Sequence, residues 1–399
     1  MNRQPYGTPP RYWEPKLSPT FVRLSRRRRR KQLRERQLLT EVKATGLDRV
    51  VKAIEVGHGV LITPNHSAHY DSAALYLAAD QADSPLYFMV AWQVFGMATN
   101  FECWAMQRLG CFSIDRESTD RQAFKQAVQI LEDEPHPLVI FPEGDIYHTG
   151  DRVTPFREGA AAIAITAAKR EQRSVVAIPC GIRFTYVDDP SPGLHDLLDR
   201  LEDRLHLRQR RDMPLPVRIH RFAEAALALK ELDYLGRTSS GKLRERIVAL
   251  TEAVLTQLEA RHTIPVSSRT PPERAKELRR RIIDKVEDDQ LRRSQPAAYH
   301  QLQQDMEDVF FVIQCFSYPG DYLAEQPSIE RMAETLDKFE EDVFGVDVPG
   351  VRGRRCVRIE FGEPIAVPSA RQRDGSAELT KTMQSRVQGI IDGLRAAAT

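Results

Sequence analysis

Long hydrophobic runs are missing from this chain. No apolar stretch approaches the about 18–20 residues that cross a bilayer as a helix, so no spanning segment is expected. The N-terminus has no apolar h-region of the kind that marks a secretory signal. Cysteine is scarce: Cys103, Cys111, Cys180, Cys315 and Cys356 are odd in number and scattered. That excludes a disulfide framework and any zinc-type cysteine spacing, and predicts isolated thiols in a reducing, cytoplasmic compartment. Excess charge of one sign is also absent. Charged residues make up 29% of the chain, yet the net charge is +2, so the protein as a whole is no polycation. A Gly-x-Ser-x-Gly nucleophile elbow is missing too.

The most informative stretch runs from Gly59 to Asp71, Gly-Val-Leu-Ile-Thr-Pro-Asn-His-Ser-Ala-His-Tyr-Asp. Its short apolar start with a β-branched residue reads as a buried strand, ended by Pro64 and Asn65. His66 follows in the turn, and Asp71 stands at the mouth of the helical pattern 72–80. A histidine beside a carboxylate is what a general base needs, because the carboxylate fixes the tautomer and steadies the imidazolium. With no nucleophilic side chain in the motif, the proton to be removed is expected to be that of a substrate hydroxyl.

From Leu38 to Arg183 strand and helix patterns alternate, which predicts an α/β fold with a largely parallel sheet flanked by helices. Beyond Asp188 the pattern turns helical. A strand is expected at Val217–Phe222, then five helices at 223–235, 242–261, 272–288, 299–316 and 329–344. Thr270-Pro271-Pro272-Glu273 marks one of the helix starts. Val357–Phe361 alternates like a half-buried strand, and 377–397 reads as a last helix. The expected organisation is therefore an arm over 1–37, an α/β domain over 38–222, a helical domain or insertion over 223–348, and a closing strand and helix over 349–399. Both Val217–Phe222 and Val357–Phe361 compete to close the sheet.

The arm carries Tyr6, Tyr12, Trp13 and Phe21, then the run Arg26-Arg27-Arg28-Arg29-Arg30-Lys31. Such a run is either a solvated helical face or a tether to anionic lipid at about 1 kcal/mol per basic residue near the surface. In the second case Trp13, Phe21 and Leu24 would dip into the headgroups. No nucleic-acid motif accompanies the arm, so nucleic acid is not expected as a partner. The expected location is the cytoplasmic face of a membrane, held peripherally through Arg26–Lys31.

Three groups recur where strands end: His66 with Asp71, the run Gly110 to Arg116, and Phe141-Pro142-Glu143-Gly144. A fourth, Phe156-Arg157-Glu158-Gly159, opens a helix. As a set, over about Leu38 to Tyr186, they resemble the glycerophospholipid acyltransferase family, best known for its 1-acylglycerol-3-phosphate acyltransferases. Asn65-His66 with Asp71 matches that family's first motif, Gly110 to Arg116 its second, Phe141–Gly144 its third, and Val175–Pro179 its fourth. The resemblance implies an O-acyltransferase of phospholipid biosynthesis or remodelling. The acyl donor would be an acyl thioester, on coenzyme A or a carrier protein, and the acceptor a glycerol-phosphate-type lipid. His66 would be the general base oriented by Asp71. Asn65, Arg116, Phe141, Pro142, Glu143 and Gly144 would line the substrate site, with Arg157 a second phosphate contact. No cofactor and no metal are expected.

The residues agree on chemical grounds. Arginine offers phosphate a planar, permanently charged fork, and glycine lets backbone N–H groups approach an oxyanion. Asp145-Ile146-Tyr147-His148 departs from the family pattern, since an acid near a phosphate is unfavourable, and His69 is an addition inside the first motif. Two rivals follow from the same residues. One is a metal-dependent hydrolase using His66, His69, Asp71 and His148, although this spacing matches no common zinc pair. The other is a non-catalytic lipid-binding scaffold dominated by the helical block.

Overall fold

The computed structural model describes residues 10–116, 120–265, 267, 269–286, 293–370 and 374–397. Backbone contacts divide the chain into two units. One joins Pro10–Pro190 to Gly350–Thr399, and the other is Ser191–Pro349.

The first unit is built on a mixed, mostly parallel sheet. Its strands are β1 (Leu39–Thr45), β2 (Gly59–Pro64), β3 (Tyr87–Ala91), β4 (Cys111–Ile114), β5 (Leu138–Val139), β6 (Val175–Tyr186), β7 (Arg355–Phe361) and β8 (Ile365–Ala366). They lie in the order β1-β7-β6-β2-β5-β3-β4, with β8 on β6. The β1–β7, β2–β6, β2–β5, β3–β5 and β3–β4 pairs are parallel, and β7 and β8 run antiparallel to β6. Strand β2 is buried at every position, and its side chains alternate between two cores as the pleat requires. Leu61 joins the cluster of Ala127, Ala161, Ala164 and Met383. Val60 and Ile62 join that of Val50, Ala74, Leu75 and Val357. The sheet is thus covered on both faces, the condition for a parallel sheet.

Its helices are α1 (Pro19–Arg36), α2 (Leu47–Glu55), α3 (Asp71–Ala79), α4 (Trp92–Met97), α5 (Asn100–Arg108), α6 (Arg121–Asp133), α7 (Gly159–Lys169) and a closing helix, Gly375–Ala396. The sequence predicts one helix over 96–109; instead α4 and α5 are separate, because Thr99 begins a new helix through a capping box with Glu102. The described arm has no regular secondary structure over 10–18 and is helical from Pro19. Trp13 exchanges hydrogen bonds with Ser113 of β4 and stacks on Phe95 at 5.4 Å. Trp13 is therefore tied to the domain and does not reach outward. Helix α1 buries Val22 and Leu33, and Tyr6 lies outside the described residues.

The second unit is helical and has its own core, including Leu250, Val254, Leu258, Leu278, Ile282 and Val309. The strand expected at Val217–Phe222 is a correction: these residues lie inside the helix Leu215–Leu235. The alternation in Val-Arg-Ile-His-Arg-Phe gives way to a helical period. Leu215, Arg218, Ile219 and Phe222 face inward, and the fully buried Arg218 is neutralised by Glu202 and Asp199. The helical unit consequently begins at Ser191, ahead of the boundary expected at 222, and β7 is the strand that completes the sheet. No described helix is long and apolar enough to cross a membrane.

Candidate active site

Strands β2, β5, β3 and β4 are parallel neighbours, so the segments leaving their carboxyl ends emerge at one edge, where open α/β sheets place their sites. His66 follows β2, Phe141–Gly144 follows β5, and Arg116 follows β4. The three strand-end groups singled out in the sequence therefore share an edge.

Asp71 opens α3 and is fully buried. Its Oδ2 lies 2.9 Å from His66 Nδ1 and accepts the backbone N–H groups of Ser67 (2.7 Å) and Ala68 (2.9 Å). The carboxylate thus folds the turn and orients the imidazole at once. With Nδ1 occupied, Nε2 is the other ring nitrogen, and the histidine side chain keeps 18% of its surface exposed. Phe141 stacks on the imidazole with ring centroids 4.1 Å apart.

Glu143 is buried and holds the histidine by its backbone. Oε1 accepts the His66 N–H at 2.7 Å, and Oε2 accepts that of Thr154 at 2.9 Å. Burial pushes the Glu143 carboxyl up to about 8, against the pull of the two N–H donors, and the nearby charge of Asp71 adds to the rise. Gly144 has φ +77, and a Cβ there would fall 2.6 Å from the Arg157 guanidinium. Glycine is required for that turn and for the arginine crossing it. Arg157 also hydrogen-bonds the buried Tyr147, whose phenol burial pushes up to about 12, and its N–H donates to Pro142 O at 2.8 Å.

Arg116 donates through Nη1 to Gly144 O at 2.6 Å and stands 3.9 Å from Asp145 Oδ1. Its Nε is buried without a hydrogen-bond partner among the described residues. The acid that departs from the family pattern is therefore paired with the arginine at this site. Asn65, expected to line the substrate pocket, instead uses both ends of its amide on Ile182: Nδ2 donates to its carbonyl (3.0 Å) and Oδ1 accepts its N–H (2.7 Å). It latches the end of β2 to β6. His69 lies beside His148 with ring centroids 5.8 Å apart. Ligand atoms of His69 and His148 lie within 4.8 Å of each other, and among the described residues neither His66 nor Asp71 joins them in such a group.

Other contacts gave no signal in the sequence. Thr154 meets Glu143 through both its N–H and its side chain. Arg355 of β7 hydrogen-bonds the Tyr70 hydroxyl and lies 4.6 Å over its ring, bracing the residue before Asp71 from more than 280 positions away. Residues 41–183 match the Acyltransferase family model. The matched stretch holds His66, Asp71, Arg116 and the Phe141–Gly144 turn, and it supports acyl transfer in glycerolipid metabolism as the general activity.

Proposed function

We propose that this acyltransferase-family domain moves an acyl chain from an acyl thioester to a hydroxyl of a glycerol-phosphate-type lipid. The observation that carries the reading is the His66 Nδ1–Asp71 Oδ2 contact of 2.9 Å at the carboxyl edge of the sheet. In this reading His66 Nε2 takes the hydroxyl proton as the alkoxide oxygen attacks the thioester carbonyl. The tetrahedral intermediate collapses with C–S cleavage, and the thiolate leaves. A simple thiol has a pKa of about 8.5, so the leaving group requires no strong acid, and the imidazolium can return the proton. Glu143 fixes the height of the imidazole, and Phe141 fixes its tilt.

Arg116 and Arg157 meet at the Gly144 turn, and we assign them the acceptor phosphate. Arg116→Lys keeps the charge and loses the fork. It is expected to raise KM for a 1-acylglycerol-3-phosphate acceptor several-fold with a smaller change in kcat, while Arg116→Ala lowers kcat/KM further. Neither should move KM for palmitoyl-CoA much. Steady-state kinetics with this acceptor and with a phosphate-free monoacylglycerol checks the assignment. If Arg116→Ala slows both acceptors equally, the arginine supports the turn and does not select phosphate.

We also infer that the domain docks on anionic membrane through α1 and α5, with a revised set of residues. Arg29 is bound by both oxygens of Asp80 at 2.7 Å, and Arg26 lies 2.7 Å from Asp83, so those two arginines hold the fold. Arg27, Arg28, Arg30 and Lys31 are exposed. Beside them lie Leu24 at 79% exposure, Phe101 at 56% and Trp104 at 44%, with Phe21 edge-on to Trp104. An aromatic patch flanked by arginines suits the headgroup layer. Replacing Arg27, Arg28 and Arg30 by glutamine is expected to weaken flotation with anionic vesicles about 100-fold, at about 1 kcal/mol per residue. Neutral vesicles should show little change, and salt should reproduce the loss. Unchanged binding to anionic vesicles would contradict the inference.

A further inference from the structure

The family match ends at residue 183, yet the hydrogen bonds that hold the catalytic turn continue into the closing helix. That helix packs its buried face, Met383, Val387, Ile391 and Leu394, into the core shared with α6 and α7. It approaches β6 so closely that a Cβ on Gly181 would lie 2.5 Å from Ile390. This seating fixes the rotation of the helix. Gln384 and Gln388, one turn apart, are then turned toward the segment 151–157. Gln388 Oε1 accepts the Val153 N–H at 2.9 Å, its Nε2 donates to Asp151 O at 3.2 Å, and Gln384 Oε1 accepts the Phe156 N–H at 3.0 Å.

The amides that follow Val153 and Phe156 go the other way. Thr154 N–H donates to Glu143 at 2.9 Å, and Arg157 N–H donates to Pro142 O at 2.8 Å. The segment is thus a two-sided strip, gripped on one side by the closing helix and on the other by the Phe141–Gly144 turn. Glu143 in turn holds His66 N at 2.7 Å. Residues 151–157 have little regular secondary structure to hold them, so the two glutamines supply backbone partners that a ladder would otherwise provide.

We propose that Gln384 and Gln388 are positioning residues for His66, acting through the 151–157 strip and Glu143 to set the height of the catalytic imidazole. The proposal rests on the acyl-transfer reading for its kinetic consequence, but the mechanical coupling stands apart from it. A half-buried glutamine that only capped its own surroundings would affect stability. One that acts along this path alters the His66 turn.

Two variants separate the roles. Gln384→Met keeps the shape and removes the acceptor for Phe156 N–H, whereas Gln384→Glu keeps an acceptor oxygen there. Hydrogen exchange of full-length protein, followed on the peptide covering residues 65–71, is expected to speed up about tenfold in Gln384→Met and to stay near wild type in Gln384→Glu. Peptides from β1 should be unchanged in both. With palmitoyl-CoA and 1-acylglycerol-3-phosphate, kcat is expected to fall about tenfold in Gln384→Met with both KM values within twofold, and to recover in Gln384→Glu. Should Gln384→Met fail to fold, Gln384→Asn, one methylene short of Phe156 N, takes its place with the same expected direction. Unchanged exchange over residues 65–71 in the acceptor-deficient variant overturns the proposal, as does a kcat equal to wild type. A wild-type protein that transfers no acyl chain would sink the acyl-transfer reading, and the exchange measurement would still decide the coupling.

Discussion

His66→Ala is expected to lower kcat for acyl transfer by about 10²–10⁴-fold, the usual contribution of a positioned general base. The fold should survive the change. The histidine backbone N–H still has Glu143 as its acceptor, Asp71 keeps the Ser67 and Ala68 amides, and the imidazole itself is partly exposed. The principal packing loss is the stack on Phe141, about 0.5–1.5 kcal/mol beyond area burial. Single-turnover assays with circular dichroism of the same preparation separate lost chemistry from lost fold. A folded variant with near-normal turnover would remove His66 from the mechanism.

Asp71 should distinguish its two tasks by substitution. All three of its hydrogen bonds converge on Oδ2, whereas Oδ1 is buried with no partner among the described residues. Asp71→Asn can therefore place its single oxygen where Oδ2 was and keep the turn and the Nδ1–H tautomer. What it loses is the negative charge opposite the imidazolium. We expect kcat to fall about 10–100-fold, at or below the lower end of general-base effects, with a smaller loss of melting temperature than in Asp71→Ala. Asp71→Ala also strands the two amides, at about 1–3 kcal/mol for each unsatisfied buried group. It should lose activity as His66→Ala does and unfold at lower temperature. Equal loss of activity and stability in both variants would show that the carboxylate serves the fold alone.

Much of this site was legible in the sequence because its parts are local. The strand Gly59–Pro64 announces itself by an unbroken apolar run, and the turn from His66 to Asp71 needs no distant partner to form. The parallel pairing of β2, β5, β3 and β4 carries the other strand-end residues to the same edge, as alternating strands and helices imply. Illegible were the contacts in which a side chain meets a remote backbone. Asn65 belongs to Ile182, Glu143 to Thr154, and the strip at 151–157 to Gln384 and Gln388. A backbone N–H leaves no residue-specific mark. Val217–Phe222 misled for a related reason. Its alternation is real, but Arg218 can be buried once Glu202 and Asp199 surround it, and that pairing is invisible without the fold. The basic run was read as one surface, whereas Asp80 and Asp83 draw Arg26 and Arg29 inward.

The central claim is that the His66–Asp71 couple activates a lipid hydroxyl toward an acyl thioester. The direct measurement follows thiol release and ester formation together, using acyl-labelled palmitoyl-CoA with 1-acylglycerol-3-phosphate and wild-type protein. The account predicts one ester formed for each thiol released, dependent on the acceptor and slowed about 10²–10⁴-fold in His66→Ala. Thiol release that yields free fatty acid whatever acceptor is supplied, or ester formation at a near wild-type rate in His66→Ala, would contradict it.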